Sequence, residues 1–582
     1  MNMTPVTHAA LVVVLLLSGM AACAPAERLC NPGNQSIARL WNEAALDAIR
    51  RDFPAPTVHA RNLFHLSVAM WDTWAAFDVD AGGYMSNVAA PPGTDREEAI
   101  AVAAYTVLTD RYQDAVGADA SVAQFEALAA SLCLDLDEPE PFGASIGQAT
   151  LDLSRDDGSL EAAGYVAPYE PSNPPMVLRE SGTEMNDPNR WQPLEFAVAR
   201  TQNGQLLESN VQDYVGPHWG SVTPFAITPN AALTSLDPGP PPMFGTQSEA
   251  AFLTAITSVI RASSQLDPVD GATIDIGPAD RGNNPLGTND GQGHHVNPIT
   301  GQAYEPNIVL AADYYRVVAE YWADGPDSET PPGHWNALAN DVSDRLPELR
   351  IGGDGPEVDR LRWDVSLYFA LNGALHDAAI AAWGAKATYD YSRPVSMVRY
   401  LGQLNQLPLE AGLIETITAQ SSAAGERHED LADFVGETAI RSWARKPVWF
   451  ADQYDSVRWV RAVDWLPYQR ATFVTPAFPG YVSGHSTFSR AAAEVVTAMT
   501  GSEYFPAGLG TFTSEINSLE FDEGPAQPIQ LQWATYFDAA DEAGLSRIYG
   551  GIHVEADDVA GRIMGAAVGR QAWAKMLEYL PE

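Results

Sequence analysis

The sequence predicts a mainly α-helical fold, built as two side-by-side helical bundles with long irregular connecting segments. Apolar residues recur every three or four positions over long stretches near both ends of the chain, which is the period of an amphipathic helix. Between these stretches lies a region rich in Pro, Gly, Asn and Asp. With 582 residues, 46% of them hydrophobic and 19% charged, the chain can bury a large interior.

The first helical block extends from Ile37 to about Tyr165. Residues 97–112 and 118–132 have helical spacing, and Asp156-Asp157-Gly158 ends the block with a turn signal. The clearest apolar face comprises Leu63, Leu66, Met70, Trp74 and Phe77. We therefore expect a bundle of about four helices with short connections.

The middle of the chain, residues 166–305, is predicted to contain few helices. Breaker clusters at 238–242 and 281–293 interrupt it, and the second of these lacks the ligand spacing of a helix-loop-helix calcium site. A disordered linker is one interpretation. Large aromatic residues favour an ordered wrap over the bundles instead: Trp191, Trp219, Phe225, Phe244 and Phe252.

Helical periodicity returns at 308–323, 358–386, 487–500 and 555–580. A shift of 305 positions aligns this second block weakly with the first, which indicates two related bundles. It pairs Phe64 with Phe369, Leu66 with Leu371, Ala69 with Ala374, Asp72 with Asp377 and Ala76 with Ala381. The predicted organisation is an export signal at 1–26, a helical bundle at 27–165, a loop-rich wrapping segment at 166–305 and a second bundle at 306–582.

The net charge of −42 excludes some partners. Seventy-five acidic residues stand against 33 basic ones, a surface that repels nucleic acid and anionic membranes. A solvated acidic surface is the plain interpretation of this balance. In a chain with so few cations, a cluster of Lys and Arg indicates a local site for an anion.

The amino terminus indicates a secreted or periplasmic protein. The apolar run from Ala9 to Ala22 is too short to span a membrane and is followed by small residues, as in an export signal. Residues 20–23 loosely match a lipoprotein cleavage site, so a lipid anchor at Cys23 is an alternative. No later stretch of the sequence is apolar over enough residues to predict a transmembrane span. Cys30 and Cys133 could form a disulfide or remain two buried thiols.

Three fragments in the last third of the chain carry oxyanion-binding chemistry. They are Lys386 with Arg393-Pro394, then Ser483-Gly484-His485 before a predicted helix, then Arg547 with His553. Each alone has a plain alternative, since basic residues cap helices and Ser is a common N-cap. Together the cations, hydroxyl, glycine amide and imidazoles suit a guest such as phosphate or vanadate. Asp557, one helical turn after His553, could hold the second ring nitrogen of that imidazole.

These fragments resemble the signature of vanadium-dependent haloperoxidases and of the related type 2 phosphatidic-acid-phosphatase-like acid phosphatases. The segments Tyr321-Trp322-Ala323-Asp324-Gly325-Pro326 and Thr330-Pro331-Pro332 look like the haloperoxidase branch. Two departures stand out. Val482 occupies the place of the usual proline, and the interval between Pro394 and Ser483 contains an insertion with Trp443, Trp449, Trp459 and Trp465.

The resemblance implies a role for each motif residue. His553 would ligate vanadium, and His485 would be the acid-base residue. The vanadate oxygens would be bound by Lys386, Arg393, Ser483, Gly484 and Arg547. Lys386 would also polarise peroxide. Trp383 and Phe478 look like the aromatic halide pocket of fungal chloroperoxidases, and Asp324 would pair with Arg547.

The resulting hypothesis is a haloperoxidase with vanadate as cofactor. It would use hydrogen peroxide to oxidise halide to a hypohalous-acid-like agent that halogenates an organic acceptor. The alternative is a soluble secreted acid phosphatase in which His553 attacks phosphorus, and a third hypothesis is a non-catalytic anion-binding protein. Phe478 favours a chloroperoxidase-like pocket. The sequence leaves the halide preference, the organic substrate and the oligomeric state open, and a homo-oligomer is one possible state.

Overall fold

The computed structural model describes residues 35–201, 203–228, 235–323, 325, 328–444 and 456–580. The predicted mainly α-helical class is confirmed. In the amino-terminal half the helices are α1 (Ile37–Arg51), α2 (Pro56–Ala75), α3 (Arg96–Tyr112), α4 (Ala118–Ser131), α5 (Pro141–Ser154) and α6 (Glu249–Ser264). In the other half they are α7 (Ala311–Tyr321), α8 (Thr330–Arg345), α9 (Arg360–Tyr389), α10 (Pro394–Leu404), α11 (Gly484–Thr500), α12 (Tyr536–Tyr549) and α13 (Glu555–Leu577).

The strands of the described residues are short and form small separate sheets. Strands β1 (Met176–Val177) and β2 (Leu194–Glu195) pair in parallel, and β3 (Thr273–Asp275) pairs antiparallel with β4 (Ile308–Leu310). A three-stranded antiparallel sheet comprises β5 (Ile414–Thr416), β6 (Thr438–Trp443) and β7 (Val457–Arg461). Strands β8 (Gly510–Ser514) and β9 (Ile529–Trp533) form an antiparallel pair. The β5–β6–β7 sheet lies in the tryptophan-containing insertion.

Helices α2 and α9 form the centre of the molecule and are buried along most of their length. Helix α2 begins at Pro56, a residue well suited to a first helical position because its missing N–H would have had no intrahelical acceptor. Helix α9 begins after Asp359, whose carboxylate accepts the Arg362 N–H at 2.8 Å. It ends at Asp390, which has a left-handed backbone conformation with φ 45°. The helical stretch predicted at 358–386 is therefore observed at 360–389, and a new helix begins at Pro394.

The internal repeat appears in the structure as reciprocal contacts between α2 and α9. Phe64 stacks on His376 with ring centroids 4.8 Å apart, and its counterpart Phe369 stacks on Trp71 at 5.1 Å. The 305-residue shift pairs Phe64 with Phe369 and Trp71 with His376. Replacing each residue of one contact by its partner therefore gives the other contact. The 305-residue repeat therefore relates positions that have equivalent contacts in the structure.

Asp72 and Asp377, which the repeat pairs, perform the same task in the two halves. Each buried carboxylate accepts three consecutive backbone N–H groups. Those at Asp72 belong to Tyr84, Met85 and Ser86, and those at Asp377 to Phe225, Ala226 and Ile227. Burial raises the pKa of each carboxyl group to about 7, against the opposing effect of the N–H donors. Each aspartate thus fixes a distant loop to a central helix.

We expect Asp377→Ala to lower the free energy of unfolding by about 3 kcal/mol or more, because the substitution leaves three N–H groups without their acceptor. Thermal unfolding followed by circular dichroism measures this as a lower midpoint. Asp119→Ala, at an exposed position on α4, is the matched control. Equal midpoints for the two variants would contradict the role assigned to Asp377.

The middle segment lies against the bundles through its aromatic residues. Trp191, Trp219, Phe225 and Phe252 are buried, whereas Phe244 is half-buried. Gly220, next to Trp219, lies so close to Gly384 of α9 that an added Cβ would be 2.6 Å from the Gly384 Cα. The segment therefore covers α9 beside Trp383 and Lys386.

The carboxyl-terminal bundle packs α11 against α13 at close range. Gly561, Gly565 and Gly569 of α13 all face α11, because a four-residue spacing places them on one side of the helix. A Cβ at Gly561 would come within 2.8 Å of the Ser483 carbonyl oxygen. The close approach holds the start of α11 against the start of α13.

The predicted export signal, Cys23 and Cys30 lie outside the described residues. Cys133 lies inside them and is disulfide-bonded. In the part of the chain that the structure describes, no helix is both long and apolar enough to cross a membrane.

Candidate oxyanion site

The three sequence fragments meet where the end of α9 and the starts of α11 and α13 come together. Lys386 lies in the last turn of α9, Arg393 precedes α10, and Ser483 precedes α11. Arg547 is in the last turn of α12, and His553 lies just before α13. All five residues are buried, with at most 2% of their surface exposed.

His553 is held by hydrogen bonds at both ring nitrogens. Its Nδ1 lies 2.9 Å from the Asp557 carboxylate, and its Nε2 lies 3.0 Å from Nη1 of Arg393. A carboxylate accepts and a guanidinium only donates, so Nδ1 carries the hydrogen and Nε2 presents a lone pair. Burial, Arg393 and Lys386 together hold the pKa of His553 well below its usual value. The ring is therefore a neutral base with a defined tautomer, and Nε2 is the atom suited to metal ligation.

Asp557 connects the elements around this imidazole. One carboxylate oxygen accepts from His553 and from the Val554 N–H at 3.2 Å, and the Asp557 carbonyl accepts the Ser483 N–H at 2.9 Å. Burial raises the pKa of the Asp557 carboxyl, whereas Lys386 and Arg393 favour its ionised form. The predicted contact between Asp557 and His553 is present.

Arg393 contributes a guanidinium with an unsatisfied donor. Its Nε donates to the Phe478 carbonyl at 3.0 Å and its Nη1 to the Ile552 carbonyl at 2.8 Å, in addition to His553. Its Nη2 is buried and has no hydrogen-bond partner. Leaving such a group unpaired is costly, and burial lowers the pKa of Arg393 to about 10. An anion beside Nη2 would offset both effects.

Lys386 also retains an N–H donor for a guest. Its Nζ donates to the carbonyls of Pro479 and Gly480 at 2.8 and 3.0 Å, and an ammonium has three N–H donors. Burial and the nearby Arg393 hold its pKa well below the usual value. A negative charge in the pocket would raise this pKa and keep the side chain ionised.

Ser483 and Gly484 present hydrogen-bond donors at the start of α11. The Ser483 Oγ accepts the Ser486 N–H at 3.3 Å as the N-cap, which leaves its own O–H free to donate. The first amides of a helix, here those of Gly484 and His485, have no intrahelical acceptor. The plain interpretation of Ser483 as an N-cap and the oxyanion interpretation are thus compatible.

His485 is oriented by a backbone carbonyl. Its Nε2 lies 2.7 Å from the Trp322 carbonyl oxygen, which only accepts, so Nε2 carries the hydrogen and Nδ1 has the lone pair. Burial and Arg547 hold its pKa well below its usual value. The ring is therefore a neutral base whose Nδ1 can accept a proton.

Arg547 is fixed by the Ser546 hydroxyl at 3.0 Å and by the Ala319 carbonyl. Its charge contributes to the lowered pKa of both His485 and His553. Asp324, its predicted partner, lies outside the described residues.

The two predicted halide-pocket aromatics lie together beside the cations. The rings of Trp383 and Phe478 have centroids 4.8 Å apart, and Lys386 Nζ lies 5.6 and 5.0 Å from them. Trp383 Nε1 donates to the Val215 carbonyl at 2.9 Å, so the indole is fixed in place. A Cβ at Gly484 would lie 3.4 Å from the Trp383 ring. The aromatic pair therefore borders both Lys386 and the start of α11.

Sequence reasoning missed the backbone carbonyls and one imidazole. The carbonyls of Ala319, Trp322, Phe478, Pro479, Gly480 and Ile552 position the charged side chains. A backbone carbonyl leaves no signal in residue type. His334 shares a small pocket with His485 and stacks on Trp322 at 4.7 Å. It lies two residues after Pro332, just beyond the segment that carried the haloperoxidase resemblance.

The part of the chain that contains the oxyanion site resembles a known domain family. Residues 366–582 match the family model of the VCPO second helical-bundle domain. The match covers most of the carboxyl-terminal helices, from α9 to α13. The matched range contains Lys386, Arg393, Ser483, Gly484, His485, Arg547 and His553. The resemblance to vanadium-dependent haloperoxidases is confirmed.

Solved structures show that the shared fold extends over nearly the whole chain. A bacterial vanadium-dependent chloroperoxidase in its apo form is 17% identical, with TM-score 0.63, over 90% of this chain and 95% of that chain. A bacterial vanadium-dependent chloroperoxidase in its holo form is 18% identical, with TM-score 0.62, over 93% of this chain and 96% of that chain. A bacterial vanadium-dependent iodoperoxidase is 18% identical, with TM-score 0.57, over 93% of this chain and 95% of that chain. No curated protein sequence matches the chain.

Proposed function

We propose that this protein is a vanadium-dependent haloperoxidase that uses hydrogen peroxide to oxidise halide to a hypohalous-acid-like halogenating agent. The observation that carries the proposal is the set of buried donors around His553. Arg393 Nη2 has no partner, and Lys386 and Ser483 each keep a donor available. Such a set fits a tetrahedral or larger oxyanion of a metal.

The donor set fits vanadate. His553 would ligate the metal through Nε2, the lone pair that Arg393 now engages at 3.0 Å. Lys386, Arg393, Ser483, the Gly484 amide and Arg547 would bind the oxygens. When bound, vanadate supplies a Lewis acid that activates hydrogen peroxide toward attack by halide.

His485 is the residue placed for proton transfer. Its Nε2–H is committed to the Trp322 carbonyl, so only Nδ1 can take and return a proton. Its depressed pKa keeps Nδ1 unprotonated at neutral pH, ready to accept a proton as peroxide is deprotonated. The buried Arg547 would favour return of that proton, because it disfavours the imidazolium form.

The other cations manage negative charge. Lys386, with two donors held by backbone carbonyls, would direct its remaining N–H toward peroxide oxygen and polarise it. Trp383 and Phe478 would form an aromatic wall for the halide next to this ammonium. Because both rings are packed and Trp383 is hydrogen-bonded, the wall excludes water without a large rearrangement.

Export is part of the proposal. Residues 1–26 are the proposed signal, and the described chain contains a disulfide-bonded cysteine, Cys133. Disulfides persist in oxidising compartments, which supports a secreted or periplasmic location. The division of the chain at residues 165 and 305 likewise remains a prediction.

A direct comparison of substrates tests the proposed function. The protein is stripped with a chelator, reloaded with vanadate, and assayed in parallel with peroxide plus chloride, bromide or iodide and with a generic phosphomonoester. We expect vanadate-dependent halogenation of an organic acceptor to dominate. Dominant phosphoester hydrolysis, with no halogenation after vanadate loading, would favour the acid phosphatase instead.

A further inference from the structure

The end of α7 presents two backbone carbonyls to the oxyanion site. The Ala319 carbonyl accepts from Arg547, and the Trp322 carbonyl oxygen lies 2.7 Å from Nε2 of His485. Carbonyls at the end of a helix have no intrahelical donor and are free to accept from other groups. The position of this helix end therefore sets the direction of both side chains.

The Trp322 side chain is in turn attached to a carboxylate of α12. Its Nε1 donates to Oε1 of Glu542 at 3.1 Å. Trp533 Nε1 donates to the same oxygen at 3.0 Å, and the Tyr314 hydroxyl donates to Oε2 at 2.9 Å. The three aromatic residues are at most 4% exposed, and a buried donor without an acceptor is costly. Glu542 is therefore the acceptor that holds three buried donors.

Packing and hydrogen bonding restrain the Trp322 indole in different directions. Its ring stacks on His334 with centroids 4.7 Å apart. Stacking restrains the tilt of a ring more than its rotation within its own plane. The hydrogen bond from Nε1 to Glu542 acts at the ring edge and restrains that rotation.

Helix α12, which carries Glu542, is itself fixed beside His485. Gly544, two residues after Glu542, lies so close to α11 that an added Cβ would be 2.9 Å from Oγ of Ser486. Ser486 follows His485 directly. Because Arg547 in the last turn of α12 also binds the end of α7, helices α7, α11 and α12 make mutual contacts around Trp322.

We propose that Glu542 is a positioning residue for His485 and acts through Trp322. The carboxylate holds the indole, the Trp322 carbonyl holds Nε2–H of His485, and Nδ1 remains the nitrogen available for proton transfer. The inference rests on the proposed function, in which His485 accepts and returns a proton.

Two tryptophan substitutions separate positioning from stability. Trp322→Phe and Trp533→Phe each remove one buried indole donor from the same oxygen of Glu542, but of the two residues it is Trp322 whose carbonyl binds His485. We expect Trp322→Phe to lower kcat for halogenation by the vanadate-loaded protein roughly tenfold or more, because a small misplacement of a reacting group can cost about 100-fold. Trp533→Phe should keep kcat close to that of the wild type. Equal losses in the two variants, or wild-type kcat in Trp322→Phe, would overturn the proposal.

Substitutions of Glu542 test the same contact from the other side. Glu542→Gln keeps an oxygen for both indoles, and its amide can donate to the Tyr314 hydroxyl, which also accepts. Glu542→Leu has no acceptor. We expect Glu542→Gln to keep most of kcat and Glu542→Leu to lose about as much as Trp322→Phe, with little change in vanadate affinity by equilibrium dialysis.

A double substitution shows whether the two residues act as one unit. In Trp322→Phe/Glu542→Leu the two losses of kcat should not add, because both substitutions remove the same hydrogen bond. Additive losses would overturn the proposal, as would a loss in Glu542→Gln as large as that in Glu542→Leu.

The orientation of His485 is also measurable without catalysis. Nitrogen NMR of the vanadate-free protein with isotope-labelled histidines reports the tautomer, and the His485→Ala protein identifies the signals of His485. We expect the hydrogen on Nε2 in the wild type and in Trp533→Phe, and a mixture of the two tautomers in Trp322→Phe. Unchanged His485 signals in Trp322→Phe would overturn the inference. Changed signals together with a wild-type protein that halogenates nothing would support the inference and contradict the proposed function alone.

Discussion

His553→Ala is expected to abolish vanadate retention. The His553 imidazole has a free-base nitrogen fixed for ligation, since Asp557 holds Nδ1 at 2.9 Å and leaves the lone pair on Nε2. Loss of a residue that only supports a metal ligand weakens metal binding roughly 10- to 100-fold. Loss of the ligand itself should therefore weaken vanadate binding by at least about 100-fold. Equilibrium dialysis against vanadate, followed by metal analysis, measures the change.

The control for this prediction is a histidine outside the oxyanion site. His218 is half-buried and bonds the Ser159 carbonyl at 2.8 Å, so His218→Gln tests the general effect of losing an imidazole. It should retain vanadate like the wild type. If His553→Ala also retained vanadate with unchanged affinity, the proposed coordination would be rejected.

His485→Ala is expected to reduce halogenation turnover by roughly 10²- to 10⁴-fold, the usual contribution of a positioned acid-base residue. Vanadate affinity should change much less, because His485 is not the proposed metal ligand. Its Nε2 bonds the Trp322 carbonyl at 2.7 Å, so the side chain is oriented independently of the guest. The readouts are the steady-state rate at saturating peroxide and halide and, separately, vanadate binding.

The separation of these two readouts distinguishes proton transfer from binding. His218→Gln again serves as the control and should leave both unchanged. A His485→Ala protein with wild-type turnover would contradict the acid-base role. Equal losses of turnover and vanadate affinity would instead assign His485 to binding.

The helical part of the fold could be predicted because periodic apolar residues reflect burial directly. Predicted helices at 97–112 and 118–132 are observed at 96–112 and 118–131. The weak 305-residue repeat was also informative, since Asp72 and Asp377 each bind three backbone amides. The β5–β6–β7 sheet was not predicted. Its strands pair across loops within an insertion, and short strands depend more on such contacts than on local propensity.

The candidate site could be predicted because its chemistry resides in side chains of unusual type for this chain. Lys386, Arg393 and Arg547 stand out against a large acidic excess, and Asp557 could be assigned to His553 from helical spacing. The orientation of the groups could not be predicted in the same way. It depends on carbonyls such as those of Trp322 and Pro479, whose positions follow from tertiary packing. Under the proposed function, halide preference would depend on similar detail around Trp383 and Phe478.

A crystal structure of the protein soaked with vanadate shows directly where the oxyanion binds. We expect vanadium bonded to Nε2 of His553, with its oxygens hydrogen-bonded by Lys386, Arg393, Ser483, the Gly484 amide and Arg547. Vanadate bound elsewhere, or bound without a bond to His553, would contradict this expectation.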